Sequence, residues 1–361
     1  MPSPPDWTYF RAALLEWYEP SRRPMPWKEV GDPYRVWLSE IILQQTRVAQ
    51  GLPYYERFVE AYPTVTQLAD ADDDDVMKLW EGLGYYSRAR HLLRAARTVR
   101  DTYGGQFPDT YEGLRALPGV GPYTAAAVAS FAFGRPVAVL DGNVYRVLAR
   151  FAADATPTDA GRGRRHFQAA VDAALGAAPA AVFNQAIMDF GALVCTPRNP
   201  ACPTCPLAAR CAARAAGNPL AFPVKKAAAV RRTRYFYYLD VTDAAGRRYL
   251  ARRTGSDIWQ DLFEFPLLEF ENGDHTLDDL RSAANWPDWL PATVEESGRG
   301  GPYRQQLSHQ TIVAVFYRLR SPTGLTPPPE IYSVPADAVG TYAFPRVINR
   351  YLDDRTLQLP F

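Results

Sequence analysis

The segment Leu117-Pro-Gly-Val-Gly-Pro-Tyr-Thr124 decides the fold of the N-terminal part of the chain. It lies between two stretches with helical apolar spacing, and its glycines allow a tight turn in which the backbone approaches a ligand closely. Amides exposed at the start of the next helix are suited to bind phosphate. We therefore predict a helical hairpin with Gly119, Val120 and Gly121 as its phosphate-binding turn, the alternative being an ordinary helix-helix turn.

Helical spacing of apolar residues extends on both sides of this hairpin, over residues 6–220. Asp32-Pro33 predicts a helix start, because it combines a capping residue with a first-turn proline, and this helix contains Glu40. A second periodic stretch follows Asp141-Gly-Asn143, which predicts that Asp141 lies at or next to a helix N-terminus. Taken singly, the two carboxylates could also be a solvated helix residue and a plain helix cap.

The four cysteines of the chain all lie between residues 195 and 211, at positions Cys195, Cys202, Cys205 and Cys211. Such a local group indicates one metal site rather than the dispersed disulfides of a secreted fold. Four sulfur ligands suit zinc or a [4Fe-4S] cluster. Zinc ribbons usually pair two short Cys-x-x-Cys turns across a longer gap, whereas this chain has one such turn with a wider-spaced cysteine on each side.

This cysteine spacing resembles the cluster loop of the endonuclease III and MutY glycosylase superfamily, and residues 117–124 resemble its helix-hairpin-helix element. The resemblance implies a mainly α-helical DNA glycosylase region whose loop 195–211 binds a [4Fe-4S] cluster through the four cysteines. It also implies that the hairpin holds DNA phosphates independently of sequence. Arg198 and Arg210 could offer positive charge to phosphates from the cluster loop.

The stretch Trp37-Leu-Ser-Glu-Ile-Ile-Leu-Gln-Gln-Thr-Arg-Val48 resembles the MutY family closely, and Asp141 lies in that family's Leu-Asp-Gly-Asn-Val motif. The resemblance implies base-excision repair of adenine paired with 8-oxoguanine or guanine in duplex DNA. Glu40 is then the acid that protonates adenine N7, and Asp141, with Asn143 beside it, stabilises the cationic sugar or adds to it covalently. Bifunctional lyases of the superfamily have a lysine where this chain has Tyr123, so lyase chemistry should be weak or absent.

Removal of a base from a duplex requires that it be flipped into a pocket and that the gap be held open. The candidate substrate contacts in the glycosylase region, by match to family positions, are Arg23, Trp27, Gln44, Gln45, Thr46, Leu83, Tyr85 and Gln185. Among them Arg23, Trp27 and Gln185 are expected to line the adenine pocket. Tyr85 is expected near the opposite base or in the stack, with helix packing as the alternative.

Beyond a linker at 218–232, aromatic and β-branched runs at 234–241 and 311–317 predict strands of an α+β domain over 233–361, distinct from the helical domain 1–217. It resembles the Nudix-like domain appended to MutY enzymes. Leu307, Ser308 and His309 occupy the place of that family's 8-oxoguanine-reading Phe-Ser-His loop, although Leu307 puts aromatic stacking in doubt. The scattered carboxylates Glu269, Glu271, Asp278 and Asp279 do not form the acidic helix of a working Nudix hydrolase.

The formal net charge of +1 indicates that any DNA-binding surface is a local patch. No apolar run approaches the roughly 20 residues that cross a bilayer, so we predict a soluble, cytoplasmic monomer without a membrane partner. Three other functions are compatible with parts of this sequence. They are an endonuclease III-like glycosylase/lyase, a non-catalytic sensor of DNA damage, and a nucleotide-hydrolysing Nudix enzyme with a DNA-binding attachment.

Overall fold

The structure is a computed structural model that describes residues 4–19, 23–28, 31–159, 161–225 and 231–357. It divides into two compact units, each described here by itself. The first, which we call the helical unit, comprises 1–70 and 91–227, and the second, the mixed unit, comprises 71–90 and 228–361. No helix in the described ranges is long and apolar enough to span a membrane.

Helices dominate the chain up to residue 215. They are α1 (Trp7–Trp17), α2 (Pro33–Ile42), α3 (Val48–Ala61), α4 (Val65–Ala69), α5 (Asp73–Leu79), α6 (Ser87–Tyr103), α7 (Tyr111–Arg115), α8 (Pro122–Phe133), α9 (Gly142–Ala152), α10 (Gly161–Leu175), α11 (Ala180–Leu193) and α12 (Ala212–Ala215). The apolar faces of α1, α8, α9, α10 and α11 meet in one core. This packing gives the polar residues at the ends of these helices fixed positions.

Local sequence explains why the two helices with the predicted carboxylates begin where they do. Asp32 caps α2 by accepting a hydrogen bond from the Tyr34 backbone N–H at 2.9 Å, and Pro33 occupies the first turn, as predicted. Asp141 is the N-cap of α9, also as predicted. A cap of this kind stabilises a helix by about 1 kcal/mol.

The predicted hairpin joins α7 to α8. Gly119 has a φ of 73°, and a Cβ atom at this position would lie 2.4 Å from Cβ of His91. Both the left-handed backbone and the close contact therefore require glycine. Gly121 is the N-cap of α8 and Pro122 its first residue, so the turn leads directly into a helix N-terminus.

The mixed unit contains a sheet of seven strands, which are β1 (Arg232–Thr242), β2 (Arg247–Arg252), β3 (Phe263–Glu264), β4 (Leu267–Phe270), β5 (Glu295–Gln306), β6 (Gln310–Arg320) and β7 (Ile331–Pro335). The order is β3-β2-β1-β6-β5, with β4 also pairing with β1 and β7 with β2. β1 and β6 pair in parallel, whereas the other pairs are antiparallel. These two central strands include the runs 234–241 and 311–317, which confirms both strand predictions. The unit also contains α13 (Leu277–Arg281) and α14 (Arg346–Leu357).

Residues 71–90 belong to the mixed unit, although the sequence placed them within the predicted domain 1–217. Lys78 Nζ donates to the carbonyl of Tyr342 at 3.0 Å, and the backbone N–H of Phe344 donates to Glu81 Oε1 at 2.7 Å. Arg90 donates to the carbonyl of Gln260 at 2.7 Å. These long-range contacts explain why a segment distant in sequence packs with the C-terminal strands.

Candidate active site

A cavity of about 880 Å³ in the helical unit brings together half of the predicted site residues, among them all the candidate catalytic ones. Its volume lies within the range of small-molecule and cofactor sites. The predicted residues that line it are Arg23, Trp27, Glu40, Gln44, Gln45, Thr46, Gly121, Tyr123, Asp141, Asn143 and Gln185. Residues from α2, α8, α9 and α11 thus converge although they are far apart in the sequence.

Glu40 lies on α2 and is only 7% exposed, so it is not a solvated helix carboxylate. Its pKa is raised to about 7, chiefly by burial and also by the negative charge of Asp141, while a hydrogen bond from Tyr123 opposes both. Burial and the charges of Glu40 and Asp141 raise the pKa of the Tyr123 hydroxyl, which therefore keeps its proton and acts as the donor to Glu40. At neutral pH the cavity therefore contains a carboxyl group that holds a proton for part of the time.

Asp141 presents its carboxylate to the same cavity from the N-terminus of α9. Its Oδ1 accepts from the Val144 backbone N–H at 2.8 Å, and its Oδ2 accepts from Asn143 Nδ2 at 2.8 Å. Burial raises the pKa of Asp141, and the hydrogen bonds from Val144 and Asn143 lower it. The carboxylate is therefore fixed in orientation while its ionised form is stabilised by donors.

Asn143 is held in place by Arg146, a residue that the sequence analysis did not single out. Arg146 Nη2 donates to Asn143 Oδ1 at 2.8 Å and to the carbonyl of Gly191 at 2.7 Å. Because Asn143 Oδ1 is engaged as an acceptor, its amide nitrogen faces Asp141. The spacing of three residues within α9 was the available sequence signal for this contact.

Asp189 on α11 was also missed. It is 1% exposed and accepts from Lys28 Nζ at 2.6 Å, from Arg23 Nη1 at 3.0 Å and from Gln185 Nε2 at 3.3 Å. Arg23, Lys28 and Gln185 line the cavity, so one buried carboxylate connects three residues of its wall. Only the spacing of Gln185 and Asp189 along one helix was visible in the sequence.

The Gln44–Thr46 segment follows the end of α2. Gln44 Nε2 donates to Thr124 Oγ1 at 3.2 Å, and Thr46 Oγ1 donates to the carbonyl of Gln44 at 3.3 Å. Gln45 is exposed, with a left-handed φ of 55°. Trp27 is buried against Tyr55, with ring centroids 5.0 Å apart, and forms part of the cavity wall.

Comparison with known proteins decides the family. Residues 38–170 match the model of the HhH-GPD superfamily base excision DNA repair proteins, and residues 237–354 match that of the NUDIX domain. The chain is 34% identical to the adenine DNA glycosylase of Buchnera aphidicola subsp. Baizongia pistaciae over 310 residues, which cover 84% of both chains. This chain belongs to the adenine DNA glycosylase family.

Other members of the adenine DNA glycosylase family differ in length from this one. The chain is 33% identical to the enzyme of Buchnera aphidicola subsp. Schizaphis graminum, covering 74% of that protein. It is 43% identical to human adenine DNA glycosylase over 216 residues but covers only 40% of it, and it covers 42% of the mouse and rat relatives. A solved thermostable thymine-DNA glycosylase has a TM-score of 0.53 and 29% identity, and the match covers 57% of this chain and 95% of that one. The mainly helical glycosylase fold with a C-terminal Nudix domain is thereby confirmed.

Adenine DNA glycosylases and their endonuclease III-like relatives generally contain a [4Fe-4S] cluster. In this structure Cys195, Cys202, Cys205 and Cys211 line one small cavity, and Arg150 Nη1 donates to Cys195 Sγ at 3.4 Å. Among the described residues, no group of three or more His, Cys, Asp or Glu side chains is arranged to hold a metal ion. The four thiols that line this cavity would suit a [4Fe-4S] cluster as a donor set, because four cysteine thiolates are the usual ligands of such a cluster.

The structure separates the two candidate residues that the family resemblance placed near the base stack. Leu83 is 4% exposed and belongs to the interior, whereas Tyr85 is 46% exposed with a left-handed φ of 50°. Arg88 packs over the Tyr85 ring at 5.6 Å from its centroid. Tyr85 is therefore the accessible side chain of this loop, and its unusual backbone conformation is imposed by the surrounding fold.

Ser308 and His309 are exposed in the turn between β5 and β6, and Ser308 Oγ lies 3.1 Å from His309 Nδ1. The turn is closed by a hydrogen bond of 2.8 Å from the Leu307 N–H to the carbonyl of Gln310. Leu307 is half-buried. Two polar side chains are thus presented to solvent at a hairpin tip.

Three of the four scattered carboxylates of the Nudix domain have structural partners. Glu269 accepts two hydrogen bonds from Arg234, Asp279 accepts from the backbone N–H of Thr276, the N-cap of α13, and Asp278 pairs with Arg281. α13 has 5 residues, and its two acidic side chains are engaged by Arg281 and by Thr276.

Proposed function

We propose that this chain excises adenine paired with 8-oxoguanine, or with guanine, from duplex DNA by hydrolysing the N-glycosidic bond. The observation on which this rests is a buried Glu40, with a pKa of about 7, facing the same cavity as Asp141, the N-cap of α9. The names of the relatives support adenine as the base. The wider setting is base-excision repair.

Glu40 is proposed as the general acid. Adenine leaves poorly as an anion, so protonation at N7 while the bond to the sugar stretches lowers the barrier. A glutamate with its ordinary pKa of 4.5 would have lost its proton at neutral pH, whereas burial keeps Glu40 protonated up to about pH 7. General acid catalysis of this kind typically contributes 10²–10⁴-fold to a rate.

Asp141 is proposed to stabilise the positive charge that develops on the sugar, or to add to it as a transient covalent intermediate that water then hydrolyses. Its position supports this role, because the hydrogen bonds from Val144 and Asn143 fix the carboxylate before the reaction begins. Arg146 in turn holds Asn143 by a hydrogen bond and so helps to fix Asp141 indirectly.

Tyr123 supports a monofunctional enzyme. Strand cleavage by a lyase requires an amine that forms a Schiff base with the sugar, and the hydroxyl of Tyr123 offers none. The hydroxyl instead donates to Glu40.

Recognition of the mispair is proposed to involve both units. Gly119–Gly121 leads into the N-terminus of α8, which suits a phosphate contact, and Tyr85 is an exposed aromatic able to enter a base stack. The exposed Ser308 and His309 are proposed to donate and accept hydrogen bonds at the edge of 8-oxoguanine. The Nudix domain is proposed to recognise DNA without hydrolysing nucleotides.

The four cysteines are proposed to hold a [4Fe-4S] cluster in a structural role. When bound, the cluster would fix loop 195–211 and thereby the position of Arg198 and Arg210 beside DNA phosphates. Burial raises the pKa of the Cys195 and Cys211 thiols, and that of Cys205 to about 11, so a cation is needed to stabilise the thiolates.

The deciding experiment is single-turnover base release from duplexes with adenine opposite 8-oxoguanine, guanine or thymine, with strand breaks scored before and after alkali. Fast release opposite 8-oxoguanine, with breaks only after alkali, is the expected result. A further duplex with thymine opposite guanine tests the specificity named for the thermostable structural relative. Release of thymine but not adenine would overturn the proposal, and breaks without alkali would overturn the monofunctional assignment.

A further inference from the structure

We infer that Asp189 is a positioning residue that makes the cavity select a purine with an amino group at C6, by fixing which end of the Gln185 amide faces the base. The inference rests on the proposed adenine glycosylase function. Asp189 is a buried carboxylate, and its hydrogen bonds in the described structure come from Arg23, Lys28 and Gln185 and not from the residues around Asp141 or Glu40.

Asp189 is buried next to the cavity and holds three of its wall residues. Its two oxygens accept from Lys28 at 2.6 Å, from Arg23 at 3.0 Å and from Gln185 Nε2 at 3.3 Å. Lys28 Nζ also donates to the carbonyl of Arg23 at 2.8 Å. Asp189 thus links α11 to the segment before α2 through a connected polar group.

The chemistry of these partners fixes the direction of the Gln185 amide. An ionised carboxylate only accepts hydrogen bonds, so it binds the NH₂ end of the glutamine amide and disfavours the oxygen end. With Nε2 turned toward Asp189, Oε1 occupies the opposite end of the planar amide. Gln185 lines the cavity, so the amide atom left for a bound base is an acceptor.

An acceptor at this position discriminates between purines. Adenine has an amino donor at C6, whereas guanine and hypoxanthine have a carbonyl oxygen there, which is an acceptor. A buried acceptor facing another acceptor leaves both without a hydrogen bond, and such mismatches are a strong source of substrate discrimination. Fixing the amide therefore favours release of adenine over 6-oxopurines.

The test compares adenine with hypoxanthine, each placed opposite guanine, in single-turnover reactions of the full-length protein and the Asp189→Asn variant. An asparagine can accept or donate, so the Gln185 amide is free to turn. We expect the ratio of the adenine rate to the hypoxanthine rate to fall about tenfold, the effect of roughly one hydrogen bond. A merely structural role would slow both reactions equally and leave this ratio unchanged.

A matched control exists on α10, where Gln168 Nε2 donates to Asp172 Oδ1 at 3.0 Å with the same spacing of four residues, but on an exposed surface. Asp172→Asn should leave the ratio unaltered. Gln185→Leu, which keeps the side-chain size, should lower the ratio by itself, and adding Asp189→Asn should lower it no further. If Asp189→Asn does not fold, the Gln185→Leu variant still tests whether the Gln185 amide sets the ratio of the two rates.

The outcomes separate the inference from the proposed function. A wild-type protein that releases no adenine overturns the proposed function. An active wild type whose ratio is unchanged by Asp189→Asn in a folded protein, or by Gln185→Leu, overturns the role of Asp189 alone.

Discussion

The Tyr123 hydroxyl donates a hydrogen bond to the Glu40 carboxylate, which joins α8 to α2 at the cavity. A hydrogen bond to the ionised form lowers the pKa of an acid, so this contact partly offsets the increase caused by burial. Tyr123 thereby adjusts the pH range over which Glu40 holds its proton. The proposed acid catalysis depends on these two opposing effects on the Glu40 pKa.

The first prediction concerns Tyr123→Phe. Loss of the hydroxyl removes the interaction that lowers the Glu40 pKa, so the acid should remain protonated to higher pH. In a pH profile of single-turnover adenine release, the alkaline decline near pH 7 should move upward. Tyr103→Phe, at an exposed position on α6, is the control. An alkaline limb at the same pH in both variants would contradict this role.

The second prediction concerns Glu40→Gln. The glutamine is similar in size but has no acidic proton, so adenine release should fall by about 10²-fold or more. Binding to the mispaired duplex, measured by fluorescence anisotropy, should persist. Glu112→Gln, at an exposed position on α7, should retain wild-type rates. Undiminished release by Glu40→Gln would remove Glu40 from the mechanism.

The third prediction is the effect of Glu40 on stability. Its pKa is raised from 4.5 to about 7 in the folded state, so the protonated form is favoured by folding. The resulting stability is fully present below pH 4.5 and is lost as the pH rises to about 7, beyond which the loss is constant. Relative to wild type, Glu40→Gln should therefore gain up to about 3 kcal/mol in unfolding free energy over this interval. Urea titrations of both proteins at several pH values measure the difference in unfolding free energy. A difference that does not change with pH would refute the raised pKa of Glu40.

The fourth prediction separates the two tasks of Asp141. Asn is as good a helix cap as Asp, so Asp141→Asn should retain the stability of α9 while losing the negative charge that faces the sugar. We expect base release to fall by about 10²–10³-fold, the usual cost of removing one electrostatic contact to the transition state. Asp141→Ala should be equally inactive and also about 1 kcal/mol less stable. Wild-type activity in the Asn variant would show that the carboxylate serves only as a cap.

The fifth prediction concerns the exposed turn of the Nudix domain. If Ser308 and His309 recognise 8-oxoguanine, replacing both by alanine should reduce the preference for adenine opposite 8-oxoguanine over adenine opposite guanine. Each lost hydrogen bond costs roughly 1 kcal/mol, so a reduction of about tenfold or more is expected. Rates opposite guanine serve as the internal control. An equal decline on both duplexes would indicate general weakening of DNA binding instead.

Local signals in the sequence were sufficient to predict several features of the fold. Asp32-Pro33 gave the start of α2, Gly119 marked a turn that no other residue fits, and Asp141 preceded α9 as expected. Each of these features depends on residues close together in the chain. Capping and backbone preferences can be recognised in a single sequence because they involve only neighbouring residues.

Features that depend on contacts between distant residues were not predictable in the same way. The pairing of Asp189 with Arg23 and Lys28 requires the folded arrangement of α11. The burial that raises the Glu40 pKa depends on packing around α2, for which the sequence provides no magnitude. The sequence likewise did not show that Leu83 is interior while Tyr85, two residues later, is exposed.

The assignment of residues 71–90 to the mixed unit has a consequence for the modularity of the chain. A fragment ending at 225 would lack the Tyr342 and Phe344 backbone partners of Lys78 and Glu81, so residues 71–90 would lose contacts that hold them in the mixed unit. Exchange of the C-terminal portion alone for that of a relative would likewise alter the partners of residues 71–90. A chimeric protein is therefore expected to keep these contacts only if residues 71–90 and the C-terminal part come from the same parent.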